Sequence, residues 1–346
     1  MDDAPTPTDR RLSPIVRLAP AKLNLTLAVL GRRADGYHDL HSVMVPLALS
    51  DRLSVAPAHG PADTLGVSGR SAGPESGNLV LQAFSAARNA LRGQIDAVPL
   101  AARLEKHIPV AAGLGGGSSD AVAALDGAFE VWGADSHLDP VQRAAIRIDL
   151  AARLGSDVPF FLTGRAATIS GRGEVVRVLP PLRGTSPGVL LITPAVAAAT
   201  ASVFTTLDRD PLARPTNSGS ARAASEHLAG EWRAGLRADA LVVRAGVLAS
   251  ANDLAAAADL VVPGLRALRR SLVRRLGRPV GLSGSGPTLW VLYASWAEAA
   301  TAAEAVSAGL ADGSIVAPGG GGPSIIATTI STPAPLADRS EEEEPR

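Results

Sequence analysis

The stretch "PVAAGLGGGSSDAVAAL", residues 109–125, places four glycines in five positions, follows them with two serines and an aspartate, and runs directly into a helical pattern. A flexible linker has no such continuation. After the glycines, Val122, Leu125, Phe129 and Trp132 step by three and four, which commits one face of a helix over 118–132 to a core. The first four amide protons of a helix lack intrahelical partners, and the helix dipole adds partial positive charge there. Such a turn can therefore hold an anion without any charged side chain. Glycines let oxygens approach the backbone closely. Ser118 and Ser119 add hydroxyl donors, and Ser119 is a candidate ligand for a Mg2+ ion that accompanies a nucleotide.

Two familiar phosphate loops do not match. The Walker A pattern needs lysine before its serine or threonine, and here that position is Gly117. The dinucleotide pattern GxGxxG starts at Gly113 and Gly115, but its third glycine position is Ser118. On these residues alone the turn reads equally well as a glycine loop capped by Ser118 or Ser119, with Asp120 complementing the dipole.

The remainder of the chain narrows the choice. At 346 residues and 46% hydrophobic content it is globular and long enough for two domains. Thirty-three basic residues balance 33 acidic ones, so no global field favours nucleic acid or anionic lipid. Cysteine is absent, which removes disulfides, thiolate zinc sites and a cysteine nucleophile, and fits a cytoplasmic protein. Residues 1–13 lack an apolar signal region and read as a disordered tail, as do the acidic residues 331–346. No apolar run approaches the ~20 residues a membrane-spanning helix needs.

Along the chain the pattern is α+β. In "KLNLTL", Lys22, Asn24 and Thr26 alternate with leucines, the period of a strand with one polar and one buried face. "RADGYHDLHS" carries a turn signal at Asp35 and Gly36, and "VMVPLAL" and "DRLSVAP" read as two further strands. A helix over 78–92 follows, then a strand leading into the glycine turn. Asp139, Pro140 and Gln142 predict a capping box, with Gly155 as the stop. "SDVPFFL" leaves helix. The Pro/Gly-rich residues 180–188 are the candidate linker. Beyond it, 209–230 reads as a polar surface insertion, two helices follow, and "GLSGSGPTLWVLY" leads from a second small-residue loop into a strand.

The segment 109–125 resembles the central motif of the GHMP kinase superfamily, kinases of small alcohols, and "APAKLNLTL" and "GLSGSGPTLW" match two further motifs of that family in the expected order. The resemblance implies a two-domain architecture: an N-terminal ribosomal-S5-like ATP-binding domain over 14–182, a C-terminal ferredoxin-like domain over 188–330, and the active site in the cleft between them. "AKLNLTLAVLGRRADGYHDLHS" and "LGSDVPFFLTGRAATISGRGE" are most similar to the branch that phosphorylates the tertiary 2-hydroxyl of a cytidine-diphosphate-linked methylerythritol in the non-mevalonate isoprenoid route.

Position by position, the resemblance implies that Lys22 and Asp157 are the catalytic pair. Pro109, Val110, Ala111, Ala112, Gly113, Leu114, Gly115, Gly116, Gly117, Ser118 and Ser119 correspond to the ATP phosphate loop, and Asn24 lies beside Lys22 on the same strand face. Tyr37 stacks on the cytosine, His38 supplies hydrogen bonds to it, and Phe204 matches a second aromatic on the base, although "TPAVAAATA" before it departs from the usual proline-containing pattern. ATP is the implied co-substrate and Mg2+ the implied metal. Lys22 then supplies from a neighbouring strand the cation that Walker A keeps in its own loop. Each residue has a plainer reading: a surface lysine, a turn aspartate, loop residues at 37 and 38, a core aromatic at 204. The alternatives are a kinase of the same family acting on mevalonate or homoserine, a non-catalytic ATP-binding member, and a nucleic-acid module, which the neutral charge disfavours.

Overall fold

The computed structural model describes residues 14–70, 77–215 and 219–331; apart from Ser331, both expected tails lie outside these residues. Six strands, β1 (Ile15–Arg32), β2 (His38–Pro57), β3 (Thr64–Gly69), β4 (Leu100–Lys106), β5 (Ala167–Gly171) and β6 (Val175–Val178), form the first sheet. β1 and β2 make one long antiparallel hairpin, closed by a turn in which Arg33 N–H donates to Tyr37 O at 2.7 Å and Gly36 takes φ +87°. β2 is a single strand where the sequence predicts two. Its other edge is shared, with β5 pairing along 40–44 and β4 along 52–57, so Pro46 falls in the gap between those ladders, where its missing N–H costs nothing on that edge.

The helices α1 (Leu79–Ala90) and α2 (Gly116–Val131) pack against this sheet around Phe84, Leu104, Leu125, Phe129 and Phe160, and α3 (Pro140–Leu154) packs on α1 and α2. Asn78 caps α1. Asp139 and Gln142 form the predicted capping box of α3, which ends at Gly155. The segment "SDVPFFL" then makes one further helical turn, α4 (Val158–Phe161), with Pro159 in its first turn.

Residues 179–187 lead to a second, four-stranded antiparallel sheet of β7 (Gly188–Thr193), β8 (Gly281–Leu282), β9 (Leu289–Tyr293) and β10 (Ser324–Thr329), in the order β10-β7-β9-β8. Between β7 and β8 lie α5 (Thr200–Arg209), α6 (Ser220–Arg233), α7 (Ala238–Val243), α8 (Ala245–Ser250), α9 (Ala255–Val261) and α10 (Leu265–Leu276). α11 (Trp296–Ala311) packs on β7, β9 and β10. Four helices thus stand between α6 and β8 where the sequence predicts two. They are broken at Arg244, at the extended 251–253 segment, and at Pro263 and Gly264.

Within 209–230, the part that forms α6 is not a surface insertion. Ala221, Ser225, Leu228 and Ala229 of α6 are buried, and the helix packs on β1 and β2. That contact corrects a second expectation. The polar face of β1 is not open to solvent: Lys22 is 3% exposed, and Asn24 and Thr26 are 1% each. Leu27 N–H donates to Ala251 O at 2.7 Å and Asp253 N–H to Leu27 O at 2.9 Å, so the second half of the chain closes over the strand that carries the lysine. Among the described residues no helix is long and apolar enough to cross a membrane.

Candidate active site

Two of the three register shifts in β1 bracket Lys22 and Asn24, one between Pro20 and Lys22 and one between Asn24 and Thr26. Bulges of this kind re-aim side chains next to functional sites. The Lys22 amide donates to Leu114 O at 2.9 Å, tying the strand to the glycine loop. The loop passes directly over the lysine stem: a Cβ on Gly115 would lie 2.9 Å from Lys22 Cγ and 2.8 Å from Phe161 Cζ, and Gly115 has φ +70°. Only glycine satisfies both demands.

Helix α2 begins at Gly116 with Gly115 as its N-cap, and no side chain caps it. Ser118 and Ser119 therefore do not play the capping role open to them in the sequence. They lie inside the helix, three and four positions past the N-cap. Val110, Ala111, Gly113, Gly115, Gly116, Gly117 and Ser118 line a chamber of about 370 Å³, with Pro109 and Ala112 also in its wall. Leu114 and Ser119 are buried instead, and the Ser119 hydroxyl has no hydrogen-bond partner.

A second chamber of about 490 Å³ is lined by Lys22, Asn24, Tyr37, His38 and Phe204, together with Arg172 and Asp208. Gly113, Asp157 and Thr200 belong to the walls of both chambers. Asp157 is the N-cap residue of α4 without capping it through its side chain, and its Oδ2 lies 3.5 Å from Lys22 Nζ. Lys22 Nζ also donates to Asn24 Oδ1 at 2.5 Å. One ammonium thus faces a carboxylate at the junction of the two cavities, with its third side on Gly284, where an added Cβ would lie 3.3 Å from Nζ.

Tyr37, His38 and Phe204 share the wall of the second chamber. His38 and Phe204 stack on each other, with centroids 4.8 Å apart and planes at 24°, and His38 Nε2 bonds to Asp208 Oδ1 at 2.8 Å. Phe204 and Asp208 are four residues apart on α5, so one helix face meets both the ring and the edge of the imidazole. Tyr37 is 52% exposed, with the Arg172 guanidinium 5.3 Å from its ring centroid. Phe204 is therefore a chamber wall and not a core aromatic.

The loop between β8 and β9 braces the glycine loop. Ser283 Oγ donates to Gly113 O at 2.9 Å, and a Cβ on Gly113 would meet Ser283 O at 2.3 Å. The Asn252 side chain supports that brace, donating to Leu282 O and Gly284 O, both at 2.9 Å. Nothing in the local sequence distinguishes Asn252. Under the glycine loop lies a second group that sequence reasoning missed. Lys106 Nζ donates to Asp51 and, at 2.7 Å, to Asp120, while Asp51 Oδ1 accepts from the amides of His107 and Ile108. All three side chains are buried, and Lys106 and Asp120 line the first chamber. Burial pushes the Asp120 carboxyl up to about 7 against the opposing pull of Lys106, and its Oδ1 has no partner. The sequence signal was weak: Asp120 passes for a dipole complement, and Asp51 is far away along the chain. Among the described residues no group of three His, Asp or Glu could hold a metal ion.

Residues 78–165 match the family model of the GHMP kinases N terminal domain, and residues 238–312 that of the GHMP kinases C terminal. The 4-diphosphocytidyl-2-C-methyl-D-erythritol kinase of Sinorhizobium medicae is 38% identical over 301 residues, which cover 84% of this chain and 90% of that protein. The protein of the same name from Rhodococcus jostii is 39% identical over 301 residues, covering 86% and 88%. A crystal structure of 4-(cytidine 5'-diphospho)-2C-methyl-D-erythritol kinase superposes with a TM-score of 0.63 at 32% identity, covering 92% of this chain and all of that one. Homoserine kinase from Cytophaga hutchinsonii shares the fold at 16% identity, with a TM-score of 0.62 over 95% of this chain and 98% of that one.

Proposed function

This chain belongs to the GHMP kinases, in the branch of the 4-diphosphocytidyl-2-C-methyl-D-erythritol kinases, and from that premise we propose that it transfers the γ-phosphoryl group of ATP to the 2-hydroxyl of a cytidine-diphosphate-linked methylerythritol, a step of the non-mevalonate isoprenoid route. The observation that carries this reading is the junction of the two chambers at Asp157, with Lys22 3.5 Å away. ATP phosphates take the chamber under the uncapped start of α2, where backbone amides and the helix dipole receive them. The acceptor takes the chamber lined by Tyr37, His38 and Phe204, where the aromatic rings suit a nucleobase and serve no purpose for mevalonate or homoserine.

Phosphoryl transfer asks mainly for positioning and charge stabilisation, because its transition state is loose and spreads negative charge over the equatorial oxygens. Lys22 supplies the mobile positive charge for those oxygens. A carboxylate is too weak a base to strip an alcohol beforehand. Asp157 therefore orients the hydroxyl in line and takes its proton late, as the new O–P bond forms and the bond to ADP breaks. A Mg2+ ion would come with the nucleotide, and the partnerless hydroxyl of Ser119, buried next to Ser118 of the first chamber, is the protein group that would hold it. When bound, the ion neutralises phosphate charge.

The test is product analysis. The purified chain is incubated with Mg·ATP and the cytidyl compound, mevalonate or homoserine, and ADP and the phosphorylated product are followed. Product is expected from the cytidyl compound alone. No product from it, with turnover of another alcohol, would overturn the assignment.

A further inference from the structure

Ser42 is 1% exposed and lines neither chamber, yet its hydrogen bonds determine which end of Asn24 faces the active-site lysine. The two ends of an asparagine amide are alike in shape and differ only in that one donates and the other accepts. Ser42 has a single hydroxyl proton, and it is given to Thr26 O at 2.6 Å. Its oxygen can then only accept, which it does from Asn24 Nδ2 at 2.9 Å. The opposite end of the amide, Oδ1, is left pointing at Lys22 Nζ, 2.5 Å away. Turning the amide over would set its NH2 against an ammonium and its oxygen against the lone pairs of Ser42, two repulsive contacts in a closed interior.

The bulge in β1 makes this arrangement available. Between Asn24 and Thr26 the register against β2 shifts by one residue, so Thr26 lies opposite Val43 and Asn24 opposite Met44. The Val43 amide then donates to the Thr26 hydroxyl at 3.0 Å, and that hydroxyl donates to Ser225 Oγ of α6 at 2.8 Å. Thr26 is held from two sides with its carbonyl oxygen turned to Ser42. On the far side, Gly284 brings its backbone close to the pair: a Cβ added there would lie 3.3 Å from both Asn24 Oδ1 and Lys22 Nζ.

We propose that Ser42 is a positioning residue for phosphoryl transfer: by fixing the donor and acceptor ends of the Asn24 amide, it holds Lys22 Nζ between Asn24 Oδ1 and Asp157 Oδ2. This rests on the reading that Lys22 and Asp157 carry the transfer. Because Ser42 acts on the lysine and not on the glycine loop, its loss reaches turnover and leaves ATP binding alone.

The test is a double-mutant cycle with the full chain, measuring kcat and the KM for ATP. Ser42→Ala is expected to lower kcat about tenfold with the KM for ATP within about twofold, and Ser42→Thr, which keeps the hydroxyl, to recover most of the loss. In an Asn24→Ala background the Ser42→Ala change should cost less than about twofold more, since its effect passes through Asn24. Should Ser42→Ala not fold, Ser42→Cys, close in size and a poor hydrogen-bonding group, takes its place in the cycle. Wild-type kcat in Ser42→Ala, or an undiminished tenfold loss in the Asn24→Ala background, would overturn the proposal. Failure of the underlying reading looks different: Lys22→Ala itself would then keep its turnover, and the Ser42 proposal would fall with it.

Discussion

The loop ahead of α2 and the loop between β8 and β9 are built from the same small residues, but they face opposite ways. The first turns Gly115, Gly116, Gly117 and Ser118 to a chamber and leaves the start of its helix uncapped. The second is buried at every residue from Gly281 to Thr288 and, although Gly284 and Ser285 reach the wall of the second chamber, its polar side chains bond to protein: Ser283 to Gly113, Thr288 to Thr193, Ser285 to Thr200. One loop is free to bind because the other holds it. Glycine serves both, for different reasons: in the first it keeps space open for a ligand's oxygens, and at the contact it lets two backbones approach more closely than a Cβ allows.

Four changes would break or sharpen that contrast. The largest effect belongs to neither loop but to the side chain both of them touch. Lys22→Ala should lower kcat by about a thousandfold or more, measured as ADP release, because backbone amides cannot replace a mobile cation at the γ-phosphoryl group. Gly113→Ala comes next. The new Cβ meets Ser283 O at 2.3 Å with φ at +75°, and left-handed strain plus overpacking should cost about 3 kcal/mol, read as a fall in the denaturation midpoint. Gly117→Ala is the control on the open side of the same loop. Its Cβ has only Leu79 Cδ1 nearby, at 3.7 Å, so the fold should hold or gain up to about 1 kcal/mol while the KM for ATP rises from a methyl in the chamber.

The smallest effect concerns the charged group beneath the loop. Burial holds a proton on Asp120 up to about pH 7, whereas an unfolded carboxylate releases it near ~3.9. Between those values the folded chain binds more protons than the unfolded one, so stability should fall as pH rises through that window. Asp120→Asn should flatten the decline by about 1 to 2 kcal/mol in denaturant titrations at pH 5 and pH 8. An identical slope in wild type and variant would show that Lys106 keeps Asp120 ionised throughout.

Much of this was legible in the chain, where the determinants were local. The capping box at Asp139 and the 3.6-residue spacing of Val122, Leu125 and Phe129 act over a few positions, and each of the three family motifs is a short run of its own. The polar alternation of β1 was visible as well, but not its burial, because its cover is distant in sequence: the glycine loop and Gly284 over Lys22, Ser42 and Gly284 beside Asn24, and α6 with residues 251–253 against Thr26 and Leu27. α6 escaped notice since its buried stripe, Ala221, Ser225, Leu228, Ala229 and Trp232, starts with small and polar residues that carry little hydropathy. Ser42, Asp51 and Asn252 share the same obstacle. Each acts by a hydrogen bond to a partner distant in sequence, and no local pattern marks such a residue. The stacking of His38 on Phe204 likewise depends on where α5 lies, not on either neighbourhood.

The proposed mechanism divides two tasks: uncharged backbone holds the donor nucleotide, and a folded-together ammonium and carboxylate direct the acceptor. Asp157→Asn tests it most directly when nucleotide binding and phosphoryl transfer to the cytidyl compound are measured on one preparation. The account predicts an ATP Kd within about threefold of wild type and a transfer rate lower by about a hundredfold or more. Near-normal transfer, or loss of ATP binding in step with turnover, would contradict it.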